Sequence, residues 1–373
     1  MRDFSSVQRV VVKIGTNVLR SDSGGIDTTY IRDIAEQVCT LVKAGKQVVI
    51  VTSGAIGMGA SELGIGGRIE GVKLRQACAA VGQPILMNTY KDAFSRHNTS
   101  VAQVLLTREV LDNRTSYLNL RNAIETLLSL GVVPVVNEND CVSTAEIGTT
   151  FGDNDRLSAL VASKVDAEVL ILLSDIDALY DSDPRTTSGA LPIRTVPQIS
   201  DEVLAAAGSA GSRFGRGGMQ SKLAAALVAE NAGCPMLLAH GREPRVLSRL
   251  LAGEEIGTVF LAKRRLGNRV RWILNSEPQG RITIDDGALA AIRSKKSLLP
   301  TGIVRVEGVF PAGAVVNLND CGKIVTSMSS YELAALAGKH SREIEKLLGG
   351  GRKEFIARPE DMVFFDEESE NTH

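Results

Sequence analysis

Five short apolar runs constrain this chain more than anything else in it. RVVVKI (9–14), QVVIVT (47–52), VVPVV (132–136), EVLILL (168–173) and PMLLA (235–239) all fall in the first 240 residues. Runs of this length, rich in β-branched residues and with no polar alternation, read as strands buried on both faces. Longer segments of helical period separate them. In residues 28–42, Ile31, Ile34, Ala35, Val38, Leu41 and Val42 form one stripe, with Asp27 or Thr28 as N-cap and Gly45 as the stop. Repeated strand–helix units of this kind predict an α/β fold, a mainly parallel sheet sandwiched by helices.

Residues 182–218 break that rhythm with Pro, Gly, Ser and Thr, which predicts loops around a short helix. A basic stretch follows residue 262, and 263–277 reads as a linker. Beyond it, one short helix (DDGALAAIRS) and the runs GIVRVEG, GAVVNL and KIVTSMS predict a small β-rich domain over 278–356. The remaining residues, 357–373, read as a tail, which leaves 1–262 as the larger domain.

Charge and cysteine content narrow the chemistry. The 42 basic and 43 acidic side chains nearly cancel, so bulk attraction to nucleic acid or membrane is not expected. Five scattered cysteines lack C-x-x-C spacing, and neither a zinc site nor a disulfide framework is expected. With no signal-like N-terminus and no apolar run of membrane length, the expected setting is the cytoplasm. There is no H-E-x-x-H and no G-x-S-x-G, so metal hydrolysis and a serine nucleophile are not signalled.

Four stretches could carry chemistry where a parallel sheet exposes its strand ends. In VVVKIGTNVL, Lys13 sits inside an apolar strand, either paired with a ligand or counter-ion or snorkelling to solvent. In VTSGAIGMG, Ser53 and a glycine turn make either an anion site or a plain βα turn. The block VNENDCVSTAEIGTTFGDND ends a strand in Asn137, Glu138, Asn139 and Asp140, then places Asp153, Asn154 and Asp155 ahead of an apolar helix. More Asx residues stand there than capping needs, and they suit a small zwitterion or a divalent cation. Finally, GSRFGRGGMQSK could cradle phosphate on the N–H groups of Gly217, Gly218 and Met219, with Lys222 adding charge, or form a surface loop. Two lysines, glycine turns and carboxylates without a nucleophile fit phosphoryl transfer, which needs positioning and charge neutralisation.

Taken together and in order, these four stretches and LLSDIDALYDSDPR resemble the glutamate 5-kinases of the amino acid kinase family, and the C-terminal part resembles a PUA domain. The resemblance implies ATP-dependent phosphorylation of the side-chain carboxylate of L-glutamate, with Mg²⁺, as the opening step of proline biosynthesis. It implies that Lys13 lies against the transferring group, that Ser53, Asp140 and Asn154 bind glutamate, and that Asp155 orients the lysines. Ser174 and Asp175 then lie at the nucleotide, and Arg216, Gly217, Gly218, Met219, Gln220, Ser221 and Lys222 close over its phosphates. No protein residue is assigned to the metal. Where this chain has Arg216, members commonly carry Thr. The resemblance also implies proline as a feedback inhibitor, a γ-glutamyl phosphate reductase as partner, and a homo-oligomer. Another small-acid kinase of the same fold is the alternative reading. An RNA-binding PUA protein is a further one, disfavoured because residues 278–356 mix acids with bases and hold few aromatics.

Overall fold

The computed structural model describes residues 2–21, 25–67, 69–142, 154–182, 184, 187–200, 203, 215–262, 266–339 and 355–365. They fall into two units, Met1–Arg265 and Leu266–His373.

In the first unit, β1 (Arg9–Ile14) leads through α1 (Thr16–Leu19) to α2 (Thr28–Lys43) and β2 (Gln47–Val51). Next come α3 (Ala55–Glu62), α4 (Val72–Ser95), β3 (Val101–Leu106), α5 (Arg108–Asp112), α6 (Arg114–Ser129) and β4 (Val133–Glu138). Then follow α7 (Asn154–Lys164), β5 (Val169–Ser174) and the small strands β6 (Leu179–Tyr180), β7 (Pro192–Ile193) and β8 (Thr195–Val196). The unit closes with α8 (Gly215–Asn231), β9 (Met236–His240), α9 (Val246–Leu251) and β10 (Thr258–Phe260).

Among the described residues the main sheet has eight strands in the order β3-β4-β2-β1-β5-β9-β10-β8. The pairs from β3 to β9 are parallel, and only β10 runs antiparallel to its neighbour β9. All five apolar runs are strands here. Strand β3 was not among them, because it lies at the edge, only half buried, and exposes Gln103.

Strand alternation divides the interior in two. On one face Val10, Val12 and Ile14 of β1 pack with Ile31, Ile34 and Val38 of α2 and with Leu86 and Tyr90 of α4. On the other, Val11 packs with Ile124 of α6, Leu157 and Leu160 of α7, and Leu223 and Ala226 of α8. Because side chains alternate with period two, Lys13 shares the face of Val11, toward α7 and α8. The α2 stripe is buried as its spacing predicts, and Asp27 is the cap, accepting from the N–H groups of Thr29 and Tyr30.

Helices α3 and α4 touch backbone to backbone. A Cβ at Gly59 would lie 1.8 Å from the carbonyl oxygen of Cys78, and one at Gly82 would lie 1.9 Å from that of Ala55. Only glycine fits at either place.

The second unit begins with α10 (Asn268–Asn275), β11 (Arg281–Ile284), α11 (Asp286–Arg293), β12 (Ile303–Glu307) and β13 (Val315–Leu318). It continues with β14 (Gly322–Val325), α12 (Ser330–Leu336) and β15 (Met362–Phe364). Its sheet runs β12-β11-β13-β14-β15 over a core that includes Ile282, Val316, Ile324 and Leu333. Two sequence readings change here. The stretch 263–277, read as a linker, contains α10, whose Trp272 and Ile273 pack on Val315 and Val363. Interleaved arginines hid that apolar face. Residues read as tail contain β15, paired antiparallel to β14. Its partner lies about forty residues away in sequence, and its three-residue run stands among acids, so composition gave no strand signal.

Candidate functional site

The parallel strands empty their carboxyl ends at one edge of the sheet. From β1 the chain goes one way to β2, β4 and β3, and β5 and β9 lie on the other side. Ligands of open α/β sheets bind where the order reverses, here between β1 and β5. Gly15 follows β1 and donates its N–H to Leu173 O at 3.0 Å. A Cβ there would sit 3.2 Å from that oxygen and 3.5 Å from Lys13 Nζ, so a side chain at 15 would crowd the lysine.

Lys13 forms an ion pair with Oδ1 of Asp155, in the first turn of α7. Lys222 of α8 reaches Oδ2 of the same carboxylate at 3.1 Å and donates to Gly218 O at 3.2 Å. The Ser221 hydroxyl donates to that Oδ2 at 3.1 Å. Lys13, Asp155 and Lys222 are only 7%, 3% and 8% exposed. Burial pushes the Asp155 carboxyl up, but the charges of Lys13 and Lys222 outweigh burial and hold it below the ordinary carboxylate range. Two cations on one anion leave a net positive charge in a dry place. Such a charge is costly unless further anions meet it; Asp175 on the β5 side feels Lys222 and offsets part of it.

Beside the triad lies a cavity of about 310 Å³. Its walls include Lys13, Ser53, Asn137, Glu138, Asp140 and Asn154, with Thr16, the first turn of α3 and Arg75 of α4. Gly54 caps α3 with φ +98°, a left-handed conformation that turns the chain into the helix without a side chain. Amides stitch the far wall together. Asn154 donates through Nδ2 both to Thr52 O and to Asn137 Oδ1, the latter at 3.0 Å. Asn137 Nδ2 donates to Gln83 Oε1 at 2.8 Å. Thr52 shares a 2.8 Å hydrogen bond with the Tyr90 hydroxyl. The Ser53 hydroxyl donates to Ile14 O at 3.1 Å and accepts from Thr16 at 3.0 Å. Burial pushes the Asp140 carboxyl up, opposed by the charge of Arg75.

On the β5 side, Asp175 accepts from Asn17 Nδ2 at 2.7 Å and from the Ser174 hydroxyl at 3.0 Å. Burial pushes its carboxyl up, but these hydrogen bonds prevail and hold it below the ordinary range, with Lys222 contributing. Helix α8 starts at Gly215, so the N–H groups left outside its ladder are those of 215–217, two residues earlier than the sequence suggested, with Gly217 common to both. By the same count, the N–H groups of Gly218 and Met219 lie within the ladder. Met219 packs on the core and Gln220 is exposed. The side chain of Arg216 lies outside the described residues, as do all of 143–153 and 204–214.

The structure therefore gathers Lys13, Ser53, Asp140 and Asn154 around one cavity and joins Lys13, Asp155, Ser221 and Lys222 in one network. Arg75 and Thr16 were missed from sequence. Arg75 sits in VKLRQACAAVGQ, a helical stretch with no glycine turn or strand end to mark it, whereas Thr16 stood in a stretch already singled out. Among the described residues no three His, Cys, Asp or Glu side chains form a metal-binding group. Mg²⁺ does not require such a group, because phosphate oxygens and water supply most of its ligands and one or two carboxylates suffice; Asp175 is a suitable donor.

Comparison with known proteins agrees with this architecture. Residues 8–240 match the amino acid kinase family, and residues 280–348 match the PUA domain. A glutamate 5-kinase of Methanosarcina barkeri (strain Fusaro / DSM 804) is 46% identical over 371 residues, covering 96% of this chain and 97% of its own. That of Geobacter sulfurreducens is 46% identical over 354 residues, covering 93% of this chain and 94% of its own. A crystal structure of UMP kinase from Ureaplasma parvum aligns with 70% of this chain and 100% of its own, at a TM-score of 0.47 and 18% identity.

Proposed function

The chain belongs to the amino acid kinase family, and on that premise we propose that it transfers the γ-phosphoryl group of ATP to the side-chain carboxylate of L-glutamate. The observation that carries the reading is the buried Lys13–Asp155–Lys222 triad, with its net positive charge, opening beside a cavity lined by acids and amides.

In the reaction a side-chain carboxylate oxygen of the substrate bonds to the γ-phosphorus. The bond from that phosphorus to the bridging oxygen breaks, and ADP keeps the electron pair. The attacking carboxylate is already ionised near neutral pH, so no general base is needed. What opposes the step is charge. Two like charges ~4 Å apart repel by ~4 kcal/mol at an effective dielectric near 20. Lys13 on the acceptor side and Lys222 on the nucleotide side offset that repulsion, and more strongly as charge spreads in the transition state. Asp155 holds both ammonium groups on one anchor, so neither needs to reorganise. In this reading Ser174, Asp175 and the backbone of the first turn of α8 are assigned to the nucleotide, whereas Met219 packs on the core and Ser221 serves Asp155. Mg²⁺, when bound, supplies further neutralisation on the phosphates.

Glutamate occupies the cavity in this reading. Asp140 and the carbonyl oxygen of Asn154 accept from its ammonium, and Ser53 shapes the turn beside the reacting carboxylate. Catalysis belongs to the first unit, Met1–Arg265, and the PUA-like domain to the second, Leu266–His373. The reading extends to a cytoplasmic homo-oligomer inhibited by proline, with a γ-glutamyl phosphate reductase consuming its product. Support for these extensions is the likeness to glutamate 5-kinases over nearly the whole chain.

The test traps the product. Incubation with ATP, Mg²⁺, L-glutamate and hydroxylamine yields γ-glutamyl hydroxamate, and absence of product above the enzyme-free control refutes the assignment.

A further inference from the structure

We propose that Arg75 recognises the α-carboxylate of the substrate and thereby selects an amino acid that carries a second, free carboxylate. The proposal rests on the glutamate-kinase reading and names a contact within it.

It follows from which polar groups of the cavity are already committed. Both N–H bonds of the Asn154 amide are engaged, one by Thr52 O and one by Asn137 Oδ1. A backbone carbonyl cannot donate, so the amide cannot be turned around, and Asn154 presents an oxygen to the cavity. The hydroxyl proton of Ser53 is engaged by Ile14 O, and that of Thr16 by Ser53. With Asp140 beside Asn154, this wall accepts hydrogen bonds and suits an ammonium, not a carboxylate.

A glutamate zwitterion also brings two carboxylates. Among the described residues two cations line the cavity, Lys13 and Arg75. Lys13 is fixed to Asp155 at the triad, where phosphoryl transfer takes place, so it meets the reacting carboxylate. Arg75 projects from the first turn of α4, exposed at the cavity, and its guanidinium makes no hydrogen bond or ion pair among the described residues. Its charge is felt at Asp140. The α-ammonium and α-carboxylate of an amino acid stand on one carbon, so their partners must be neighbours of opposite charge. Asp140 and Arg75 are such a pair. A guanidinium also suits a carboxylate geometrically, since it donates two parallel N–H groups.

The discriminating probe is the α-amide of glutamate, which keeps the ammonium and the reacting carboxylate but has a neutral carboxamide in place of the α-carboxylate. Wild type, Arg75→Met and Arg75→Lys are compared for kcat and KM on L-glutamate and on the α-amide. The amide is also titrated as a competitive inhibitor, so that its affinity is read even where its turnover is slow. Arg75→Met is expected to lose roughly 10- to 100-fold in kcat/KM on glutamate, mostly in KM, and less than about 3-fold on the α-amide. Arg75→Lys recovers part of the loss. Equal losses on both ligands would assign Arg75 a structural role and overturn the proposal, as would an unchanged preference for glutamate. Failure of wild type to phosphorylate glutamate overturns the underlying reading as well, so the two failures are told apart.

Discussion

Exchanging Asp155 for Asn removes one charge and almost nothing else, and the structure fixes what should follow. Lys13 and Lys222 lose the carboxylate they share while staying nine-tenths buried. Two ammonium groups ~4 Å apart repel by ~4 kcal/mol at an effective dielectric near 20. Mutational experience with broken buried pairs gives a similar ~3–5 kcal/mol. A loss of that size is a large part of the ~5–15 kcal/mol that holds a domain folded. It should also depend on pH. The carboxyl of Asp155 is held below its ordinary value in the folded chain. Its contribution is therefore complete above the unfolded value of ~3.9 and is lost as pH falls through the lower folded value. Urea unfolding followed by circular dichroism at pH 7 and again near pH 3.5 measures the gap between wild type and D155N. The single tryptophan, Trp272, lies in the second unit, so its fluorescence serves as an internal control. MgATP should stabilise D155N more than wild type, because phosphates replace the missing anion, while turnover falls at least ~100-fold. A variant within ~1 kcal/mol of wild type at pH 7, or a gap that does not narrow in acid, would refute the reasoning.

Two further outcomes are expected. The acid limb of kcat/KM for glutamate should lie above the usual carboxylate range, because burial pushes Asp140 up against the opposing charge of Arg75, with Glu138 and Lys13 also lining the cavity. Asp140→Asn should abolish that limb and lower kcat/KM about 100-fold, as a pH–rate series on both proteins would record. Gly82→Ala would set a methyl group 1.9 Å from Ala55 O and 2.4 Å from Gly59 N. It should destabilise the protein by ~1–3 kcal/mol and raise the KM for glutamate with that for ATP little changed, because the cavity wall made by α3 and α4 moves while the triad stays.

Legibility in the sequence followed burial. Strands covered on both faces wrote themselves as unbroken apolar runs, and all five are central to the sheet. Edge strand β3 carries Gln103 toward solvent, and β8 and β10 are two and three residues long, so none left a comparable run. Antiparallel β10 is set by its pairing with β9, which no local pattern reports. Site residues at strand ends stood out because polar side chains interrupt apolar runs there. Arg75 lies on a helix whose polar residues look like any solvated face, and only the close crossing of α3 and α4 brings it to the cavity. The α8 loop showed its glycines and lysine in sequence, but the turn at which its helix starts is a matter of three-dimensional hydrogen bonding.

The amide wall has a consequence for how this enzyme fails. Asn137 is held by Gln83 from the helices on one side of the sheet and by Asn154 from those on the other. The pocket thus joins two interiors that lie on opposite faces of the same sheet. Softening of either interior, by heat, by an oxidised buried methionine or by a cavity-making substitution far away, reaches the same three amides. Activity should therefore fade with the weaker interior, at a temperature below that at which the sheet itself comes apart.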